Sequence, residues 1–282
     1  MNTVKKSVAV GLLALLTVGA YSLLTGKEVN DISTDSPHSS IQLASSSTYL
    51  MVKDYLASSM AYNQDTREFL MTSDHPHTLF AEPISTLMVL ADDLVTVKQT
   101  LDIPSDSDLE GLAYVGNNMA IAISEKGTIY RLKNDGEKWS LLDSKKGLIG
   151  QVTKVASLAT DVEADKLYTA EKEGKKNLYI MDMQGQLERT IELKFDNPAG
   201  AYSLESDFTI AGLTYHNGYL YMLSEAYSTV FKFDLKTEKI IQAYGLSDSH
   251  EMGGLTFRDG HFVTAGDAES YLPDPVISEF KL

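Results

Sequence analysis

From about residue 49 to the end, the chain is a succession of short apolar or alternating runs separated by residues that tolerate tight turns. Runs such as MAIAIS, KLYTAEK, YLYMLSE and HFVTAGD are rich in residues that favour a pleated, half-buried surface, and they are the length of strands. Asn217-Gly218 and Asp259-Gly260 are the strongest hairpin signals. A two-residue type I′ turn needs positive φ at both central positions, which Asn, Asp and Gly accept. Asn117-Asn118 and Asp135-Gly136 fit the same role. No stretch in this part holds a helical period over many turns, so the predicted class is all-β.

The runs also repeat. Residues 108–114 read DLEGLAY, residues 208–215 FTIAGLTY and residues 252–257 MGGLTF, with weaker copies VASLAT at 155–160 and SSMAYN at 58–63. The equivalent apolar positions are Met60, Leu112, Leu158, Leu213 and Leu255, 42 to 55 residues apart. Each start is followed by a turn, a second strand, a third such as TIYRLK or TVFKFDL, and in the complete copies a fourth such as KIIQAYGL. Four strands at this period are the mark of β-propeller blades, which bury their faces against one another and leave only short edges. The last copy stops after its third strand. Residues 48–54 (TYLMVKD), lying ahead of the first repeat, are the expected donor of the missing fourth. That gives five blades with a mixed closing blade. The irregularity near Pro83 and the long insertion at 195–206 leave a sixth open.

Ahead of the repeats the pattern is different. Lys5 and Lys6 precede an uncharged, mostly apolar run at residues 7–24. As a helix it would be about 27 Å long, close to the ~30 Å hydrocarbon core of a bilayer. The basic flank favours the cytoplasmic side, so the chain beyond Leu24 would lie outside the cytoplasm. Val18-Gly19-Ala20 fits a cleavage site, which would make the segment a removable signal peptide and the protein periplasmic or secreted. The apolar run continues through Tyr21, Leu23 and Leu24, which favours an uncleaved anchor at residues 1–24. Residues 25–48 then read as a spacer, since nine of the sixteen positions from 33 to 48 are Ser or Thr. The propeller domain is expected at 49–282.

Composition narrows the function. With 39 acidic against 24 basic residues the formal charge is −15. Nucleic acid is therefore not an expected partner, because such affinity comes largely from Lys and Arg replacing phosphate counterions. The absence of cysteine removes thiolate metal sites, disulfides and cysteine nucleophiles. Residues 1–27 hold three lysines and no acid, so the acidic excess belongs to the rest of the chain.

Candidate chemistry centres on carboxylates. Asp106, Asp108 and Glu110 followed by Gly111 imitate the first half of a calcium loop, with alternate oxygen ligands and then a turn glycine. The twelfth position of an EF-hand would be Asn117, which lacks the bidentate carboxylate, and the flanking helices are missing. At the mouth of a propeller channel, Glu110, Asp108, Asp207 and Glu251 are candidate ligands for Ca2+, a hard cation suited to oxygen donors. Glu110 and His250 are the candidate acid–base residues of that mouth. A blade-start loop whose carboxylates only face solvent or cap a turn is the plain alternative. Asp74, Glu171, Glu225 and Asp267 follow second strands and would set up a cation-attracting field if they shared one end. His75-Pro76-His77 has no third ligand at a metal spacing. Tyr114, Tyr168, Tyr179, Tyr215, Tyr221 and Phe257 recur at matching strand positions, as a core between blades requires, and Trp139 is expected to pack a fourth strand. No nucleophile elbow, phosphate loop or dinucleotide fingerprint is present.

The order of anchor, spacer and DLEGLAY-type blade starts, with LYMLSE and SHEMGGLTF late in the chain, resembles the SdiA-regulated (YjiK-like) family of bacterial β-propellers. The resemblance covers roughly residues 50–282 and the apolar segment. It implies a propeller fold similar to NHL-type and calcium-dependent lactonase or phosphotriesterase propellers, an envelope location and a bound calcium ion, but no reaction. The Glu-Gly pair that would open several blades stands only at Glu110-Gly111, and the other copies have Ala156-Ser157, Ala211-Gly212 and Gly253-Gly254. Two classes of function are thereby expected. One is a membrane-tethered binding module for an envelope protein or small ligand. The other is a calcium-dependent hydrolase of esters, lactones or phosphotriesters, with the metal polarising the substrate.

Overall fold

The computed structural model describes residues 41–43, 45–49, 55, 57–73, 84–105, 107–148, 154–172, 176–193, 209–246, 251–267 and 275–282. The anchor run, most of the spacer, Pro83 and the 195–206 insertion lie outside them. No helix among the described residues is long and apolar enough to cross a membrane.

Two short strands come first, β1 (Ile41–Leu43) and β2 (Ser45–Tyr49). Blade 1 is β3 (Ala57–Asn63), β4 (Glu68–Ser73), β5 (Ile84–Ala91) and β6 (Val97–Pro104). Blade 2 is β7 (Leu109–Gly116), β8 (Met119–Ser124), β9 (Thr128–Asn134) and β10 (Trp139–Lys146). Blade 3 is β11 (Val155–Asp161), β12 (Lys166–Glu171), β13 (Asn177–Asp182) and β14 (Leu187–Glu192). Blade 4 is β15 (Gly212–His216), β16 (Tyr219–Ser224), β17 (Thr229–Asp234) and β18 (Lys239–Leu246). Blade 5 holds β19 (Glu251–Arg258), β20 (His261–Asp267) and β21 (Pro275–Lys281), and β2 completes it. The described residues thus form a five-bladed propeller whose last blade is closed by the N-terminal part of the chain.

The closing strand differs from the expected one. β2 pairs antiparallel with β21 from Ser45↔Phe280 to Tyr49↔Val276, so it shares only Thr48 and Tyr49 with the TYLMVKD run and begins three residues earlier. β1 adds to blade 4, parallel to β18 with Ile41↔Tyr244. β1 and all of β2 but Tyr49 fall within the stretch read as spacer, and one compact unit runs from Ser40 to Leu282. The physical reason is that the outermost strand of a blade has one neighbour and much exposed surface. β6 and β10, the outermost strands of blades 1 and 2, are largely exposed, so a Ser/Thr run meets the requirement of such a position as well as an apolar one.

The first strands of the blades, β3, β7, β11, β15 and β19, neighbour one another in a closed circle around the axis. The circle is tight. A Cβ on Gly111 would stand 2.7 Å from Leu158 N of the next blade, one on Gly212 2.7 Å from Leu255 Cβ, and one on Gly254 2.8 Å from Met60 N. The remaining two blades carry Ser59 and Ser157 at this position, both buried. Just ahead of it, four of the five inner strands slip register at one residue, Ser58, Glu110, Ala156 and Gly253. Such a bulge bends the strand and takes one side chain out of the ladder.

Each pair of adjacent blades encloses its own apolar cluster. Leu70, Leu87, Leu112 and Trp139 lie between blades 1 and 2. Ile123, Leu158 and Met181 lie between blades 2 and 3. Leu178, Leu213 and Phe231 lie between blades 3 and 4, Leu223, Leu255 and Phe262 between 4 and 5, and Met60, Val263 and Ile277 between 5 and 1. Trp139 sits in β10 as expected, with its backbone N–H donating to Gln99 Oε1 and its carbonyl accepting from Gln99 Nε2, both at 2.8 Å. The predicted hairpins form: φ is positive at Asn117, Asn118, Asn217, Gly218, Asp259 and Gly260.

Two consequences are measurable. Gly254→Ala forces a methyl against the blade 1 backbone, so it should lower the unfolding free energy by about 1–3 kcal/mol, read from a urea midpoint. An unchanged midpoint contradicts the tight circle. A chain beginning at residue 50 lacks β1 and β2 and leaves the β21 edge unpaired, so it should aggregate or lose cooperative unfolding by circular dichroism.

Candidate functional site

The inner strands all run in one direction along the axis. The channel therefore has a front mouth where they begin and a rear mouth where they end. At the rear, a cavity of about 420 Å3 opens between the last residues of all five inner strands. That size falls in the range of small-molecule sites. Its wall is narrow-chain, with Ala61, Ala113, Ala159, Thr214 and Thr256 one residue after the buried Met60, Leu112, Leu158, Leu213 and Leu255. One residue further on stand Tyr62, Tyr114, Thr160, Tyr215 and Phe257, so four blades supply a ring and blade 3 a threonine.

The rim is held by contacts across the seams between blades. The Tyr114 hydroxyl donates to Asp65 of the neighbouring blade and accepts from Asn118 N at 3.1 Å. Asp65 is itself placed by the buried Asn63, whose Oδ1 accepts from the Asp65 and Thr66 amides at 3.0 and 3.3 Å. Tyr215 bonds to Asp161 of blade 3 and stacks on Tyr168 at 5.8 Å. His216 stacks on Phe257 of blade 5 at 3.8 Å between centroids. Tyr62 N donates to Thr256 Oγ1 at 3.0 Å, joining blades 1 and 5. Burial, with the Asp65 carboxylate beside it, pushes the Tyr114 phenol up to about 12. Burial and the Lys232 charge lower the pKa of His216, which leaves its imidazole neutral near pH 7.

The front mouth is where the sequence places its metal candidates. Glu110 is the bulge residue of β7, 6% exposed, and Lys172 of blade 3 reaches its Oε1 at 2.9 Å. Its counterparts at the bulge are Ser58, Ala156 and Gly253, with Ala211 in blade 4, so Glu110 is the one carboxylate of that ring. An acid has no room at Gly253, where a Cβ would lie 2.6 Å from Ala57 O. Asp108 is half-buried, and its carbonyl accepts from Glu125 N at 2.7 Å. Asp207, His250 and the side chain of Glu251 lie outside the described residues, as do Asp106, Asp74, His75, His77 and the side chain of Asp267. Among the described residues, no three or more His, Asp or Glu converge to hold a metal ion. Glu171 is buried, with Asn177 Nδ2 at 3.2 Å from its Oε2, whereas Glu225 is exposed.

The aromatic repeat therefore divides. Tyr168, Tyr179 and Tyr221 are core between blades, as the sequence predicts. Tyr114, Tyr215 and Phe257 pack against that core and also reach the rear cavity. Sequence reasoning assigned these three to packing and missed Tyr62 and Asp65. The available signal was the position two residues after each repeat leucine, together with the acid just past the first repeat.

Comparisons with known proteins fit the fold. The structure of a Myxococcus xanthus glutaminyl cyclase is similar, with a TM-score of 0.62 at 12% identity over 86% of this chain and 99% of that one. In all, 1219 chains of solved structures match, so the scaffold is widely used and does not by itself choose an activity. No protein-family model matches the sequence, and no curated protein does.

The buried phenols make stability depend on alkaline pH. Tyr114, Tyr168 and Tyr221 are each raised to about 12 by burial, from 10.0 when unperturbed. The folded state thus holds these protons more tightly than the unfolded one. Their contribution is full below about pH 10 and is lost as pH rises toward about 12. Urea unfolding across that window should show falling stability, with a smaller fall in Tyr114→Phe. A pH-independent midpoint would contradict this.

Proposed function

We propose that this propeller is a ligand-binding module rather than a hydrolase, and that its rear cavity is the binding site. The supporting observation is the cavity itself. Rings from four blades and mostly uncharged polar groups surround about 420 Å3, and their hydroxyls and amides are fixed by neighbouring blades. Preorganised rings and satisfied hydrogen bonds lower the ordering cost of binding. Among the described residues, no nucleophile with an adjacent base lines this cavity, and at the front Glu110 is paired with Lys172. A calcium ion on Glu110 would have to displace that ammonium group.

The chain is further read as a member of the SdiA-regulated (YjiK-like) family, tethered in the cell envelope by residues 7–24 with the propeller outside the cytoplasm. The apolar run, the lysines ahead of it and the DLEGLAY motif at 108–114 support this reading.

Mass spectrometry of the full chain equilibrated with an envelope extract tests the binding role. Thr160→Trp fills the cavity from the one blade without a ring, so it should abolish retention of a small molecule while leaving the fold intact by circular dichroism. Calcium-dependent turnover of an aryl ester or lactone that is lost in Glu110→Gln would overturn the reading in favour of the hydrolase.

A further inference from the structure

The lining of the rear cavity is electrically one-sided. Among the described residues neither lysine nor arginine lines it, and Asp65 puts a carboxylate on its rim. Asp161 and Glu163 lie close enough to act on the Tyr215 hydroxyl, which adds negative potential beside the same mouth. His216 is the only titratable base among the described lining residues, and burial works against its protonation. Nearby, the Lys232 ammonium is held over the Tyr219 ring, 3.9 Å from its centroid, rather than in the cavity.

The rings are also fixed by aromatic neighbours: Phe69 lies 4.8 Å from Tyr62, Tyr168 stacks on Tyr215 at 5.8 Å, and His216 stacks on Phe257 at 3.8 Å between centroids. The face of an aromatic ring is the negative part of its quadrupole. Several rings lining one cavity together attract a cation.

We propose that the rear cavity binds an organic cation, a quaternary or protonated ammonium group, between the Tyr62, Tyr114, Tyr215 and Phe257 rings with Asp65 as counter-charge. This rests on the ligand-binding reading above and names its ligand class. The acidic excess of the chain would steer such a cation toward the mouth. A bare divalent ion is not the expected ligand. It needs six or more oxygens, and the described lining supplies one carboxylate.

The test is calorimetric titration of the full chain with choline and with dimethylbutanol, its neutral carbon isostere. Choline should bind about tenfold more tightly than the isostere. Asp65→Asn keeps an oxygen to accept from Tyr114 and so preserves the rim while removing the charge. It should weaken choline by about three- to tenfold and leave the isostere unaffected. Phe257→Leu should weaken choline by a similar factor. If that variant unfolds, Asp65→Asn alone decides. Equal binding of choline and its isostere, or choline binding indifferent to Asp65→Asn, overturns the cation assignment. So does the absence of choline binding. Binding of a neutral glycoside in place of choline, blocked by Thr160→Trp, would remove the cation but leave the binding reading standing.

Discussion

The backbone-to-backbone approach of the five inner strands is the constraint on which the rest of the molecule depends. At Gly111, Gly212 and Gly254 a Cβ would lie 2.7–2.8 Å from atoms of the next blade, so the circle closes only because those positions carry no side chain or a small one. A wider circle would need more blades, and a narrower one would exclude the alanines that line the channel. Five blades, the separate apolar cluster in each seam and the size of the rear cavity all depend on that spacing. The bulge just before it has a matching role. It bends the strand and, in four of the five blades, takes one side chain out of the ladder.

This arrangement separates the two mouths chemically. At the front, the bulge residues are Ser58, Glu110, Ala156 and Gly253, and the single carboxylate among them joins blade 2 to Lys172 of blade 3. At the rear, the last residues of the inner strands surround the cavity, and rings from four blades line it. Those rings belong to the seams as much as to the site: Tyr114 closes one against Asp65, Tyr215 another against Asp161, and Phe257 a third against His216. The contacts that hold the blades in register thus also fix the site.

The repeat leucines, the Asn-Gly and Asp-Gly turns and the all-β class were legible in the sequence because they obey local rules of period and positive φ. The glycine of the Glu-Gly pair was visible, but its reason was not. Its neighbour, Leu158, is 47 residues away, and only the closed circle shows that packing requires a small residue there. The strand SSSTY reads as spacer because an outermost blade strand needs little apolar character, so composition does not separate it from a solvated linker. The rear cavity was hidden for a third reason. A tyrosine two residues after a buried leucine has the same sequence signature whether it faces a seam or the axis, and Tyr114 meets both.

Native-state hydrogen exchange is the most direct test of this dependence on the inner circle. If the circle closes as one unit, the amides of Met60, Leu112, Leu158, Leu213 and Leu255 should exchange together, at the free energy of global unfolding. Earlier exchange of Leu255, through separate opening of the blade that β2 completes, would contradict it.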